Sequence, residues 1–113
     1  MKNLIDEIKK FNYERDWDQF HSPKNLAISI CIEAAELLEN FQWENKDIIE
    51  VKEDKKIMKS VREELADIFI YSLNLAEKLD IDIEKSIKKK LMVNKKNYPV
   101  DQSRGSAKKY NEL

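Results

Sequence analysis

The chain has 113 residues, 42% hydrophobic and 38% charged, with one Gly, two Pro and a formal net charge of −1. That length suits one domain with a modest core, and a better one if copies associate. So few breakers among abundant Leu, Ile, Lys and Glu exclude a turn-rich β fold and predict an all-α, four-helix bundle-like protein.

The first predicted helix runs from about Asn3 to Arg15, with Leu4, Ile5, Ile8 and Phe11 on its inner face. An aromatic loop, Asp16 to His21, follows. Ser22-Pro23 opens the second helix as N-cap and first helical residue, and this helix extends to about Phe41. A turn through Trp43-Glu44-Asn45 and a polar connector, with a helical turn near Asp47–Val51, lead to the third helix at roughly Asp54–Leu79. Asp80 or Asp82 caps the fourth, Ile83–Asn97, which must stop before Pro99. Residues 1–99 are thus read as the domain and 100–113 as a basic tail, either draped over the body or mobile. No apolar run approaches the ~20 residues that span a bilayer, and no signal-peptide core opens the chain, so a cytoplasmic protein without a membrane partner is expected. The lone Cys31 excludes an internal disulfide, fits a reducing compartment and reads as a small buried hydrophobe.

Charge is unevenly spread. Residues 1–77 carry 11 basic and 17 acidic side chains, whereas residues 78–113 carry 10 basic and 5 acidic. Lys and Arg recur about every fifth residue, yet none lies between Asn25 and Asn45 or between Glu63 and Glu77. Each of these stretches holds a carboxylate pair at helical spacing: Glu33 with Glu36, and Glu64 with Asp67. A helix turns roughly 100° per residue, so Ser29, Glu33, Glu36 and Asn40 share one narrow stripe. Ser60, Glu64, Asp67, Tyr71, Asn74 and Lys78 form another.

Both helices are apolar around most of their girth, which predicts extensive burial. The stripes then form either thin solvent strips or two walls of a polar cleft. Acidic pairs are common on helix surfaces, but exposed faces elsewhere in this chain mix both signs, which favours the cleft. Four clustered carboxylates repel one another unless a cation neutralises them. Hard oxygen donors, with no His or Cys at ligand spacing, select Mg²⁺, or alternatively Mn²⁺, over Zn²⁺. Di-iron chemistry would need Glu-x-x-His pairs, and the single His21 lies outside both motifs. Its expected role is local hydrogen bonding in the loop. Mg²⁺ sites of this kind handle phosphates, yet no glycine-rich phosphate loop exists. The acidic body and the lack of a recognition helix disfavour nucleic acid as a partner.

The motifs ERDWDQFHSPKN (14–25), EAAELLENFQW (33–43), EELADIFIY (63–71), NKKNYP (94–99) and RGSAKKYNEL (104–113) resemble one family in order along nearly the whole chain. It is the MazG type of all-α nucleoside triphosphate pyrophosphohydrolases, with the greatest likeness to its dCTP pyrophosphatase branch. The resemblance implies hydrolysis of a (deoxy)nucleoside triphosphate, dCTP or a related one, to monophosphate and pyrophosphate in nucleotide-pool house-cleaning. It also implies a homotetramer with sites shared between subunits. In that family the residues matching Glu33, Glu36, Glu64 and Asp67 hold Mg²⁺ and form the catalytic set, with Glu36 chosen as base. Trp17, Trp43 and Tyr71 match the nucleotide pocket, and Lys90 and Asn94 match phosphate contacts, with Lys95, Arg104 and Lys108 as further candidates. One departure concerns specificity. A base-reading histidine of the vertebrate dCTP enzymes is replaced by Ile8, so cytosine preference does not carry over. A dUTPase-like activity, a phosphoribosyl-ATP pyrophosphatase and a non-enzymatic nucleotide-binding module are the alternatives.

Overall fold

Helices form where the hydrophobic period predicts them, and their ends are fixed by identifiable side chains. The computed structural model describes residues 1–113 and contains no strand. Helix α1 spans Lys2–Glu14 and α2 spans Pro23–Glu39. Between them Asp18–Phe20 forms a 3₁₀ turn inside the aromatic loop. Asp16, at φ 52°, ends α1 in the left-handed conformation, which Asp tolerates better than most residues. Ser22 accepts a hydrogen bond from the Asn25 amide at 3.1 Å, and the Asn25 side chain donates to Phe20 O at 2.9 Å. The loop is therefore tied to the start of α2.

Helix α3, Ile48–Glu53, opens on a capping box in which Asp47 and Glu50 satisfy each other's backbone N–H groups. Helix α4, Lys55–Lys78, starts at Asp54, whose carboxylate accepts from the amides of Lys56 and Ile57. Lys46 pairs with the same carboxylate at 3.4 Å. These contacts hold the Asp54 carboxyl below its ordinary range, the Ile57 amide contributing most.

Two compact units result, Met1–Asp80 and Ile81–Leu113. In the first, α2 packs along α4, and α1 and α3 lean on α4 as well. Its core is thin: Leu26, Leu73 and Ala76 are the only fully buried apolar residues. This corrects the expectation that α2 is largely buried. One helix covers one side of α2, so Ile28, Ile32 and Leu38 remain 45%, 51% and 63% exposed. Cys31 lies on that open side and is exposed rather than buried. In the second unit α5 spans Ile83–Asn97 and is capped by Asp82, not Asp80. Asp80 instead takes φ 55° at the end of α4. The stretch 100–113 has local structure. It contains α6, Val100–Ser103, a left-handed turn at Gly105 (φ 74°), and an edge-to-face contact of Tyr98 with Tyr110 at 6.1 Å. No helix is long and apolar enough to cross a membrane.

Candidate functional site

The acidic stripes of α2 and α4 meet. One carboxylate oxygen each from Glu33, Glu64 and Asp67 lies within 4.8 Å of the other two, and all three residues are half-buried. Glu64 and Asp67 share a face because three residues make nearly one turn, and the α2–α4 packing carries Glu33 up to them. Glu33 Oε2 and Glu64 Oε2 are shut off from solvent with no hydrogen-bond partner. A buried acceptor left this way is costly, and a buried negative charge more so.

No cation of the chain relieves the cluster. Lys9 pairs with Glu77 at 3.6 Å and Lys78 with Asp18 at 2.6 Å, and no salt bridge reaches Glu33, Glu64 or Asp67. The acidity of Glu33 records the strain, its pKa being pushed up from 4.5 to about 7. The largest cause is the Glu64 carboxyl, which hydrogen-bonds to the protonated form. Desolvation follows, then a hydrogen bond with Glu36 and the charges of Glu36 and Asp67. Three convergent hard oxygens, on residues two of which also bury an unpartnered oxygen, fit a divalent cation of the Mg²⁺ or Mn²⁺ kind. Glu36, the fourth predicted ligand, is exposed and stays outside the three-oxygen group, although near enough to Glu33 to raise its pKa. One turn along α2 rotates it past the direct line to α4.

A cavity of about 190 Å³ adjoins the carboxylates, with Asp67 in its wall. Phe11, Trp17, Ile70 and Tyr71 supply flat and apolar sides, and Asn12, His21 and Asn74 supply polar ones. Trp17 stands edge-on to Phe11 at 5.4 Å, and the Arg15 guanidinium caps the other ring at 3.9 Å. Trp17 N–H also donates to Asn12 O at 3.0 Å, which turns the loop back over α1. His21 hydrogen-bonds within its loop as expected, its backbone N–H donating to Asp18 O at 3.2 Å. Its side chain reaches further, Nδ1 lying 3.0 Å from Asn74 Nδ2 on α4, to which the Lys78–Asp18 ion pair also ties the loop.

Sequence reasoning put Asn74 on a polar stripe without giving it a role and did not single out Asn12. Asn12 and Asn74 are 4% and 3% exposed, the only fully buried polar residues. A signal existed for both. Asn74 continues the Asp67–Tyr71 stripe, and Asn12 continues the apolar Ile5–Ile8 face of α1 at helical spacing.

Trp43 is 87% exposed in the bend after α2, where no helix covers it, and it does not join Trp17 in the cavity wall. Ile8 lines an adjoining apolar groove with Leu4 and Glu7, which shares Phe11 and Ile70 with the cavity. Lys90 and Asn94 sit one turn apart on α5 in the second unit, Lys90 exposed and Asn94 half-buried.

The model of the MazG-like family matches residues 28–113, a range that contains all four predicted carboxylates. The chain belongs to the MazG-like family. Among proteins similar to this MazG-like chain is dCTP pyrophosphatase 1 of Rattus norvegicus, 39% identical over 105 residues. The dCTP pyrophosphatase 1 of Homo sapiens is 35% identical over the same length. Each alignment covers 92% of this chain, which spans only 62% of the length of these mammalian relatives. The crystal structure of a pyrophosphatase from Archaeoglobus fulgidus superimposes with a TM-score of 0.80 at 40% identity, covering 88% of this chain and 92% of the other. The all-α MazG-like fold is therefore shared over most of the molecule.

Proposed function

We propose that the chain is a divalent-metal-dependent nucleoside triphosphate pyrophosphohydrolase, acting on deoxynucleoside triphosphates such as dCTP. The observation that carries this reading is the Glu33–Glu64–Asp67 group, with two orphaned buried oxygens, opening onto an aromatic-walled cavity. Glu33, Glu64 and Asp67 would hold the cation, Mg²⁺ by the hardness of the donors, with Glu36 as an outer carboxylate. When bound, the ion supplies charge neutralisation for phosphate oxygens and acidifies coordinated water.

The chain's own groups divide the remaining tasks. Glu36 is exposed and adjacent to Glu33, so it is the carboxylate free to accept a proton from the attacking water. Water oxygen bonds to the α-phosphorus while the bond to the α–β bridging oxygen breaks, leaving monophosphate and pyrophosphate. Trp17 and Tyr71 offer flat walls for the nucleoside, and the Tyr71 hydroxyl a hydrogen-bond donor. Lys90 and Asn94 are assigned to the triphosphate on chemistry, as one ammonium and one amide on one helical face.

A homo-oligomer, specifically a homotetramer, belongs to the same proposal. Ile28, Ile32, Leu38 and Phe69 are 45% or more exposed in the single chain, an arrangement that association would cover. The reading is tested by incubating the protein with a panel of nucleoside triphosphates and Mg²⁺ and quantifying products. Monophosphate and pyrophosphate in equal amounts, abolished by EDTA, are expected. Release of orthophosphate, or no turnover of any nucleotide, overturns it.

A further inference from the structure

Asn12 and Asn74 are the polar residues that the metal-site reading leaves without a task. Both are more than nine-tenths buried and both line the cavity beside Asp67. A side-chain amide carries two donors and an acceptor with two lone pairs, and burying it without partners is unfavourable. Asn74 makes one side-chain hydrogen bond, to His21 Nδ1, which leaves its carbonyl oxygen unmatched. The Asn12 amide makes none with the protein. Unlike Glu33 Oε2 and Glu64 Oε2, the unmatched amide atoms are not sealed off but border one cavity, where a ligand with a polar edge can meet both. The walls specify the rest of that ligand: Phe11, Trp17 and Tyr71 fit a flat ring.

We propose that Asn12 and Asn74 are the specificity-determining residues that read the edge of the nucleobase, and that they read it in either polarity. This rests on the nucleotide reading of the site. The second half follows from His21. With its proton on Nε2, the imidazole accepts from the Asn74 N–H and the amide turns its carbonyl to the cavity. With the proton on Nδ1, the amide flips, accepts from the ring and turns its N–H₂ group to the cavity. Asn12 has no protein partner to lock it and rotates to complement either arrangement. A pyrimidine with an amino group and one with a keto group at the same ring position are therefore both matched. The cavity, about 190 Å³, sets these two amides beside its aromatic walls.

The test uses the full chain with Asn12→Ala and Asn74→Ala and reads binding separately from turnover. Isothermal titration in EDTA with dCMP and dTMP gives the base term without metal. The wild type should bind the two within about tenfold of each other. Each variant should lose about tenfold in affinity for both pyrimidine nucleotides, the effect of one buried hydrogen bond. In steady-state assays KM should rise while kcat at saturation changes little. Asn12→Ala leaves the His21–Asn74 contact in place, so it reports even if Asn74→Ala perturbs folding. A wild-type preference above a hundredfold between dCMP and dTMP overturns the two-polarity claim. Unchanged nucleotide affinity in a folded Asn12→Ala protein overturns the base-reading role. Pyrimidine binding weakened by the variants in a protein that releases no pyrophosphate supports the base-reading assignment and sinks only the hydrolase reading.

Discussion

The two sides of Asp67 use opposite physics. Toward α2 lies a cluster of like charges, with Glu33 and Glu64 oxygens buried and unpaired and the Glu33 pKa raised to about 7. Toward α1 lies a neutral cavity of aromatic rings and two buried amides, with no net charge beyond Asp67 itself. On the proposed reading, the first side would hold a hard cation through charge, whereas the second would discriminate among ligands of equal charge through shape and hydrogen-bond pattern. The contrast teaches that a charged cluster and a neutral, patterned cavity are built from different residues, joined at one carboxylate.

The sharpest way to break this comparison is to alter the shared residue. Asp67→Asn should reduce pyrophosphate release by about a hundredfold or more, because a cation ligand and a cavity wall change together. Normal turnover in the folded variant would separate the acidic cluster from function.

A second prediction isolates the charged side through pH. Glu33 holds its proton more tightly in the folded chain than in the unfolded one, since its pKa is raised from 4.5 to about 7. Its contribution to stability is therefore complete below about pH 4.5 and lost as pH rises through about 7. In EDTA, Tm of the wild type should fall across that window relative to Glu33→Gln, which cannot titrate there. Mg²⁺ should reverse the fall near neutral pH, since cation and proton compete for the same oxygens. Parallel Tm profiles for the two proteins would refute the coupling.

The neutral side is isolated by Trp17→Ala. Loss of one stacking wall should raise KM by about tenfold while leaving the Mg²⁺-induced gain in Tm intact. A variant that loses the Mg²⁺ effect as well would show that the two sides are not independent. The smallest effect belongs to Lys78→Ala. Its ion pair with Asp18, at 2.6 Å, pins the aromatic loop to α4, but both groups are partly solvated. Chemical denaturation should register a loss of less than about 1 kcal/mol.

Much of this was legible in the chain. Ser22-Pro23, the Asp54 cap and Pro99 mark helix ends by local chemistry alone, and α5 runs over Ile83–Asn97 as its pattern indicates. The lack of Lys and Arg around Glu33 and around Glu64–Asp67 exposed an electrostatic problem before any packing was known. Burial was less legible. An apolar girth says how much of a helix seeks cover, not how much one chain supplies, so Cys31 and Ile32 are exposed against expectation.

The sequence by itself determined the helices, their caps and the two acidic stripes, because these depend on neighbours within a turn or two. Only the tertiary structure decided which residues meet. The α2–α4 contact selects Glu33, Glu64 and Asp67 and leaves Glu36 outside their group. The loop folded over α1 brings Trp17 and His21 to Asn12, Tyr71 and Asn74, while Trp43 stays in solvent. Helical periodicity fixes a direction around one axis, whereas a site is the intersection of several such directions.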